Sequence, residues 1–245
     1  MLQTSTVKTS TLELLRLLQA EPQLAATRLV GGTALSLQIG HRESEDLDLF
    51  STEPLEGMLV QQLLIEKYAF LPTVVKENTL IGFIQGVKID IIYHPFPWLE
   101  AAIEEDGFRI ATKSDIAAMK MHAIINSGRR PKDFIDMAFL SMYFSYNELK
   151  SLLLKRYPAY DPIMADKAVI YFDDIDENLI PEINMIGYVF DFERVKKRIV
   201  KMTNSPNKVY ATAPLCMMRL SKNKASNYLL PADRWKELPE EDSED

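Results

Sequence analysis

Cysteine is almost absent from this chain: Cys216 is the only one in 245 residues. No intrachain disulfide can form, so the core has to hold by packing, and a reducing compartment is the straightforward expectation. Histidine is nearly as scarce. His41, His94 and His122 fall in three separate stretches without ligand spacing, which argues against a zinc centre. No window reaches ~18 uninterrupted apolar residues, and the N-terminus lacks a signal-type apolar core, so the chain reads as cytoplasmic, with no membrane partner. Positive charge is also short: 28 Lys and Arg stand against 35 Asp and Glu, a net charge of −7. That balance advertises no general nucleic-acid-binding face. Part of the excess acid lies in residues 236–245, expected to be a solvated, disordered tail, and the body without it is nearer neutral. Neither a serine nor a cysteine nucleophile arrangement is recognisable.

What is present is a globular composition, 47% hydrophobic and 26% charged, long enough for one generous domain or two small lobes. The most informative stretch runs from residue 29 to 50. An apolar pair, Leu29-Val30, leads into Gly31-Gly32, then into Thr33-Ala34-Leu35-Ser36-Leu37-Gln38-Ile39, which reads as a helix stopped by Gly40. Two glycines before a helix let backbone N–H groups and the positive helix end come close to a phosphate. The stretch closes on Asp46-Leu47-Asp48-Leu49-Phe50, where strand alternation sends the two aspartates to one face and the leucines to packing. Asp-x-Asp alone is commonly a solvated strand end, and Gly-Gly alone is commonly a turn. Together they form a phosphate cradle facing a carboxylate pair, which suits metal-assisted nucleotidyl transfer.

The remaining pattern divides the chain in two. Ser10 to Glu13 fits a capping box for a first amphipathic helix, and residues 54–68 read as a second long helix despite Gly57. Three strand-like runs follow at 71–76, 80–84 and 87–93, with turns at Glu77-Asn78 and Gln85-Gly86, so a meander is expected. Asp90 is the only acid in the third run, and a carboxylate inside an apolar strand needs a partner. From Ser114 the periodicity becomes helical: 114–126 opening on a Ser114 cap, 131–140 with Pro131 in its first turn, then 147–155, 161–173 and 192–202. Asp133 and Asp136 are three apart and share a helical face. The expectation is an α+β fold, with a core over residues 1–112 and a helical lobe over 113–204. Residues 205–245 form a C-terminal segment with no assignable pattern.

Taken in order, Gly31-Gly32-Thr33-Ala34-Leu35, Gly40 to Phe50, Lys88-Ile89-Asp90-Ile91-Ile92, Ser114 to Ile124 and Arg130-Pro131-Lys132-Asp133-Phe134-Ile135-Asp136-Met137 resemble the AbiEii/AbiGii family. Those are nucleotidyltransferase-type toxins of bacterial toxin–antitoxin and abortive-infection systems. Tyr171-Phe172-Asp173-Asp174 resembles a further motif of that family and could dock the helical lobe on the sheet. The resemblance implies a polymerase-β-like nucleotidyltransferase core with an appended helical lobe. It implies that Gly31, Gly32 and Thr33 hold the triphosphate of an incoming NTP, that Asp46, Asp48 and Asp90 bind Mg²⁺, and that Lys120 neutralises phosphate charge. Asp133 matches the late acidic position, with Asp136 competing for it. Arg42 and Ser44 either contact phosphate or order the loop before Asp46. The acceptor is an RNA, such as a tRNA 3′ end, or a protein hydroxyl, and a cognate antitoxin is an expected partner. A small-molecule (antibiotic-type) nucleotidyltransferase and a non-catalytic binding module are the alternatives.

Overall fold

A computed structural model describes residues 1–217. Its centre is a seven-stranded mixed sheet in the order β3-β4-β5-β2-β1-β7-β6, built from β1 (Arg28–Val30), β2 (Leu47–Ser51), β3 (Leu71–Lys76), β4 (Thr79–Ile84), β5 (Val87–Tyr93), β6 (Ile103–Glu105) and β7 (Phe108–Ile110). Helices α1 (Thr9–Ala20), α2 (Gly31–Ile39) and α3 (Gly57–Tyr68) are interleaved with the strands. From Lys113 onward the chain is helical: α4 (Lys113–Asn126), α5 (Pro131–Leu140), α6 (Tyr146–Arg156), α7 (Pro162–Ala168) and α8 (Phe192–Asn204). The α+β class and the meander β3-β4-β5 are those expected.

The central pair of strands sets the site. β2 and β5 run parallel, with Leu47 opposite Ile89, Asp48 opposite Asp90 and Leu49 opposite Ile91. Leu47, Leu49, Ile89 and Ile91 are fully buried in one continuous core shared with α4 and α5. Each such side chain stabilises the fold by about 1.5–3 kcal/mol. Alternation along a strand then turns Asp48, Phe50, Asp90 and Ile92 to the opposite face, where all four line one cavity. A one-residue slip would bury the aspartates and expose the leucines, so the apolar set that holds the core also fixes the acids.

Several expectations are corrected. α1 starts at Thr9 with Lys8 as its N-cap and no side-chain cap, so Ser10 and Glu13 form no capping box. α3 starts at Gly57, not at 54: Gly57 packs against the Glu77 carbonyl so closely that a Cβ would lie 2.6 Å from that oxygen. The cap of α4 is Thr112, whose hydroxyl accepts from the Asp115 N–H, in place of Ser114. α7 ends at Ala168, short of 173. Phe172 packs on Phe134 of α5, ring centroids 5.6 Å apart, and so ties together parts of the helical half instead of docking it on the sheet. The β6–β7 hairpin is an addition; its turn is Asp106-Gly107, both at positive φ, a pairing that favours two-residue hairpins. The acidic stretch 236–245 and most of the unassigned segment lie outside the described residues. None of the helices among those residues is long and apolar enough to cross a membrane.

Candidate active site

A cavity of about 600 Å³ opens between the polar face of the sheet and helices α4 and α5. On the sheet side it is lined by Gly31, Gly32, Asp46, Asp48, Phe50 and Asp90; on the helical side by Lys120, His122 and Asp133, with Arg42 and Ser44 on a connecting loop. Nearly all the residues singled out in the sequence therefore converge on one cavity. The two outside its lining are Thr33 and Asp136, both buried immediately behind it.

The Gly31-Gly32 corner is dictated by close approach. Gly31 has φ +71°, and a Cβ there would overlap the Asp48 carboxylate. A Cβ on Gly32 would overlap the Arg42 guanidinium. The first turn of α2 has no side-chain cap, and its Gly31 and Gly32 line the cavity beside Asp48, so this helix start is suited to seat a phosphate. Gly31→Ala is expected to cost about 1–2 kcal/mol from the backbone alone and to displace Asp48 as well. Thermal melts should show a drop of at least ~3 °C for a chain of this size; a variant melting within ~1 °C of wild type would refute the close-approach account.

Asp48 carries an unusual burden. Burial raises its carboxyl pKa to about 6, and the charge of Asp90 beside it pushes in the same direction. Asp90 is paired with Lys88, whose Nζ lies 2.7 Å from both carboxylate oxygens. Among the described residues no three His, Cys, Asp or Glu side chains form a ready-made ligand cage. The donor set nonetheless fits Mg²⁺, an ion that takes one or two carboxylates plus substrate phosphates and water in preference to an all-protein cage. A cation between Asp48 and Asp90, with Asp46 on the same cavity wall, would relieve the repulsion that raises Asp48.

Behind this wall lies a knot of buried charge. The Asp136 carboxylate accepts two bonds from Arg42, Nε–H to Oδ1 at 2.8 Å and Nη2–H to Oδ2 at 3.0 Å. It also accepts from His41 Nε2–H at 2.8 Å and faces Lys120 Nζ at 2.7 Å. Lys120 at the same time donates to Asp133 at 2.7 Å. Burial alone would raise Asp136, but Arg42, Lys120 and His41 hold it well below the usual carboxylate range. Burial would likewise lower Lys120, and Asp133 and Asp136 reverse that, leaving its ammonium raised. Burial pushes His41 down, so the imidazole is neutral.

Asp133, not Asp136, is the member of this pair that reaches the cavity, together with Lys120. Arg42 spends its guanidinium on Asp136 and the Glu43 carbonyl. The Thr33 hydroxyl is hydrogen-bonded to Ser44 Oγ and to the Asp46 carbonyl, so it ties the loop to α2. Backbone bonds from Glu43 to Asn184 and from Ile186 to His41 strap that loop from the far side.

Sequence reasoning missed three things here. Lys88 was legible only as part of a motif, though its i,i+2 spacing from Asp90 puts both on one strand face. His41 as a partner of Asp136 requires the tertiary fold. So does the far wall of the cavity, where His94, His122 and Tyr157 assemble and His122 stacks on Tyr157 at 4.1 Å between centroids. Burial lowers both imidazoles, His94 to about 4, and they are neutral near pH 7.

The profile of the family described as "Nucleotidyl transferase AbiEii toxin, Type IV TA system" matches residues 14–77. An uncharacterized protein of Aquifex aeolicus is 32% identical over 179 residues, covering 71% of this chain and 85% of that protein. Among solved structures, a candidate nucleotidyltransferase from H. pylori aligns at 20% identity with a TM-score of 0.49, over 82% of this chain and 96% of its own. JHP933 from Helicobacter pylori aligns at 18% identity and TM-score 0.49, over 82% and 93%. With the profile match over the Gly-Gly and Asp-x-Asp stretch and the Aquifex relative spanning most of both chains, this protein belongs to the AbiEii nucleotidyltransferase toxin family.

Proposed function

We propose that the protein transfers a nucleoside monophosphate from an NTP to a hydroxyl on an RNA, such as a tRNA 3′ end, or on a protein, in the cytoplasm, as the toxin of a pair with a cognate antitoxin. The observation carrying this reading is the register pairing of Asp48 with Asp90 directly beside the uncapped start of α2, in a cavity whose opposite wall presents Lys120 and Asp133.

The N–H groups of Gly31 and Gly32 and the positive end of α2 would seat the triphosphate. Asp48 and Asp90, with Asp46, would hold Mg²⁺, which when bound neutralises phosphate charge and steadies the departing pyrophosphate. The acceptor oxygen forms a bond to the α-phosphorus as the bond to the β-phosphate oxygen breaks; the hydroxyl proton passes to Asp90 or to water. Lys120, kept charged by Asp133 and Asp136, would offset negative charge on the phosphates from the helical side. Positioning and charge, without a covalent intermediate, suffice for this chemistry.

Incubation with each α-labelled NTP and Mg²⁺, together with total RNA and total protein, tests the reading. Label in one fraction with wild type and none with folded Asp48→Ala is the expected result, and the labelled fraction names the acceptor class. Label in neither fraction, with no NTP-induced thermal shift, would instead favour a binding module. Label on small molecules alone would favour an antibiotic-type enzyme.

A further inference from the structure

Lys88 is a partly exposed cation beside the acidic cluster. It follows Val87 at the start of β5, its side chain is 38% exposed, and its ammonium contacts both oxygens of Asp90 at 2.7 Å. Lys88 and Asp90 are two apart on one strand and so share the cavity-side face. Continuing the parallel register one step back from Leu47–Ile89 brings Lys88 level with Asp46. Among the described residues Lys88 is the cation paired with Asp90, and no Lys, Arg or His forms an ion pair with Asp46 or Asp48. Of the three carboxylates at this end of the cavity, Asp90 is thus the one with a cation in contact, Lys88, while Lys120 and Lys88 act on Asp48 through space. The Lys88 contact occupies both oxygens of Asp90, one of the carboxylates that would hold a divalent ion.

We propose that Lys88 is the resident counter-ion of the acidic site: it occupies Asp90 until a divalent cation displaces it, and the released ammonium then pairs with the triphosphate. The inference rests on the metal- and NTP-dependent reading above. A bound dication and an ammonium on one carboxylate repel each other. Metal alone must therefore expel Lys88 without offering it a new partner. A triphosphate supplies that partner, since a lysine head group on a flexible four-carbon stem can swing to a nearby anion at little cost. Lys88 would in this way make metal binding weak without nucleotide and strong with it. By linkage, nucleotide binding would be strengthened by metal to the same degree. Lys88 acts through Asp90 and is a positioning residue.

Titration of Mn²⁺, read as the loss of the free-ion paramagnetic resonance signal, tests this with Lys88→Met and Lys88→Arg, each with and without a non-hydrolysable α,β-imido nucleoside triphosphate. Both variants remove or replace a partly exposed side chain, and thermal melts confirm that each is folded. Lys88→Met is expected to bind Mn²⁺ alone at least fivefold more tightly than wild type, because one opposing charge a few ångströms away is gone. The extra tightening brought by the nucleotide analogue should shrink by a comparable factor. Lys88→Arg, which keeps the charge, should stay within threefold of wild type in both measurements. Tightening of less than fivefold in Lys88→Met, or tightening with undiminished nucleotide coupling, would overturn the counter-ion role. If wild type and Lys88→Met both failed to bind Mn²⁺ with the analogue present, the metal-dependent reading itself would fall, and the counter-ion role with it.

Discussion

Asp48→Asn should abolish nucleotidyl transfer while making the metal-free protein more stable. The two effects have one cause. Burial and the neighbouring Asp90 raise the Asp48 carboxyl to about 6 in the folded protein, against an ordinary value of 3.8. A group whose folded pKa is raised contributes stability that is fully present below the unfolded pKa and is lost as pH rises through the folded one. Between about pH 4 and pH 6, the native state holds a proton that the unfolded chain has released, so stability falls across that window. Above it, an ionised Asp48 costs the fold about 2 kcal/mol, from a shift of about two units at 1.36 kcal/mol each, reduced for its partial access to the cavity. Asparagine keeps the shape of the protonated acid and never ionises. In metal-free buffer the variant and wild type should melt together near pH 4. The variant should melt about 4–8 °C higher at pH 7.5. Saturating Mg²⁺ and NTP should reverse the order, because only wild type gains from ligand binding. Transfer activity should fall by at least ~10³-fold, the scale expected when charge stabilisation at a phosphoryl centre is lost. Equal melting temperatures at pH 7.5, or a variant retaining more than a tenth of wild-type activity, would refute the account.

The parts of this molecule legible in the sequence are those set by short-range periodicity. Strand alternation in Asp46 to Phe50 and in Lys88 to Tyr93 forecast that the acids share a face, and the parallel register of β2 with β5 realises it. The Gly31-Gly32 corner was legible because few other residues fit such a turn, although its reason, the Asp48 carboxylate against the Gly31 Cα, is a contact across the sheet. The Lys120–Asp133 contact joins α4 to α5 and was not legible in the periodicity, because it depends on how the two helices pack. Helix starts were read less well. Ser10 and Ser114 looked like caps, yet the chain enters α1 and α4 earlier, at Lys8 and Thr112, because cap choice depends on where the preceding segment arrives. The β6–β7 hairpin carries its own signal in Asp106-Gly107, but three-residue strands are too short for alternation to be distinctive. The partners of Arg42 and His41 lay beyond reach: Asp136 is 94 and 95 residues away, and only the assembled core decides which buried charges meet.

That buried meeting gives the largest expected loss of stability. Asp136 is fully buried and is the common acceptor of Arg42, His41 and Lys120. In Asp136→Ala, the Arg42 guanidinium would remain 2% exposed with only the Glu43 carbonyl as partner, and Lys120 would keep Asp133 alone. Removing one side of a buried ion pair strands the other charge, at a cost of roughly 3–5 kcal/mol. A melting temperature lower by about 10 °C is expected on that basis. Asp136→Asn should fall between, since an amide can still accept from His41 or Arg42 but compensates neither cation. Asp133→Ala should be milder, because Lys120 then still has Asp136. The pH dependence separates charge from packing. A carboxyl held well below its ordinary value stabilises the fold above that value, and the contribution is lost as pH falls towards the folded pKa. Wild type should therefore lose stability steeply below about pH 4, with the Asp136→Ala difference shrinking there. Asp136→Ala also releases the 41–44 loop from α5, and that loop, through Ser44 and Thr33, holds Asp46 in place. Activity measured well below the melting point should then fall even though Asp136 never faces the cavity, with the loss largest in apparent nucleotide affinity. A variant within ~1 kcal/mol of wild type at pH 7 would show instead that water reaches Arg42 and Lys120 and that the buried knot does not hold the site together.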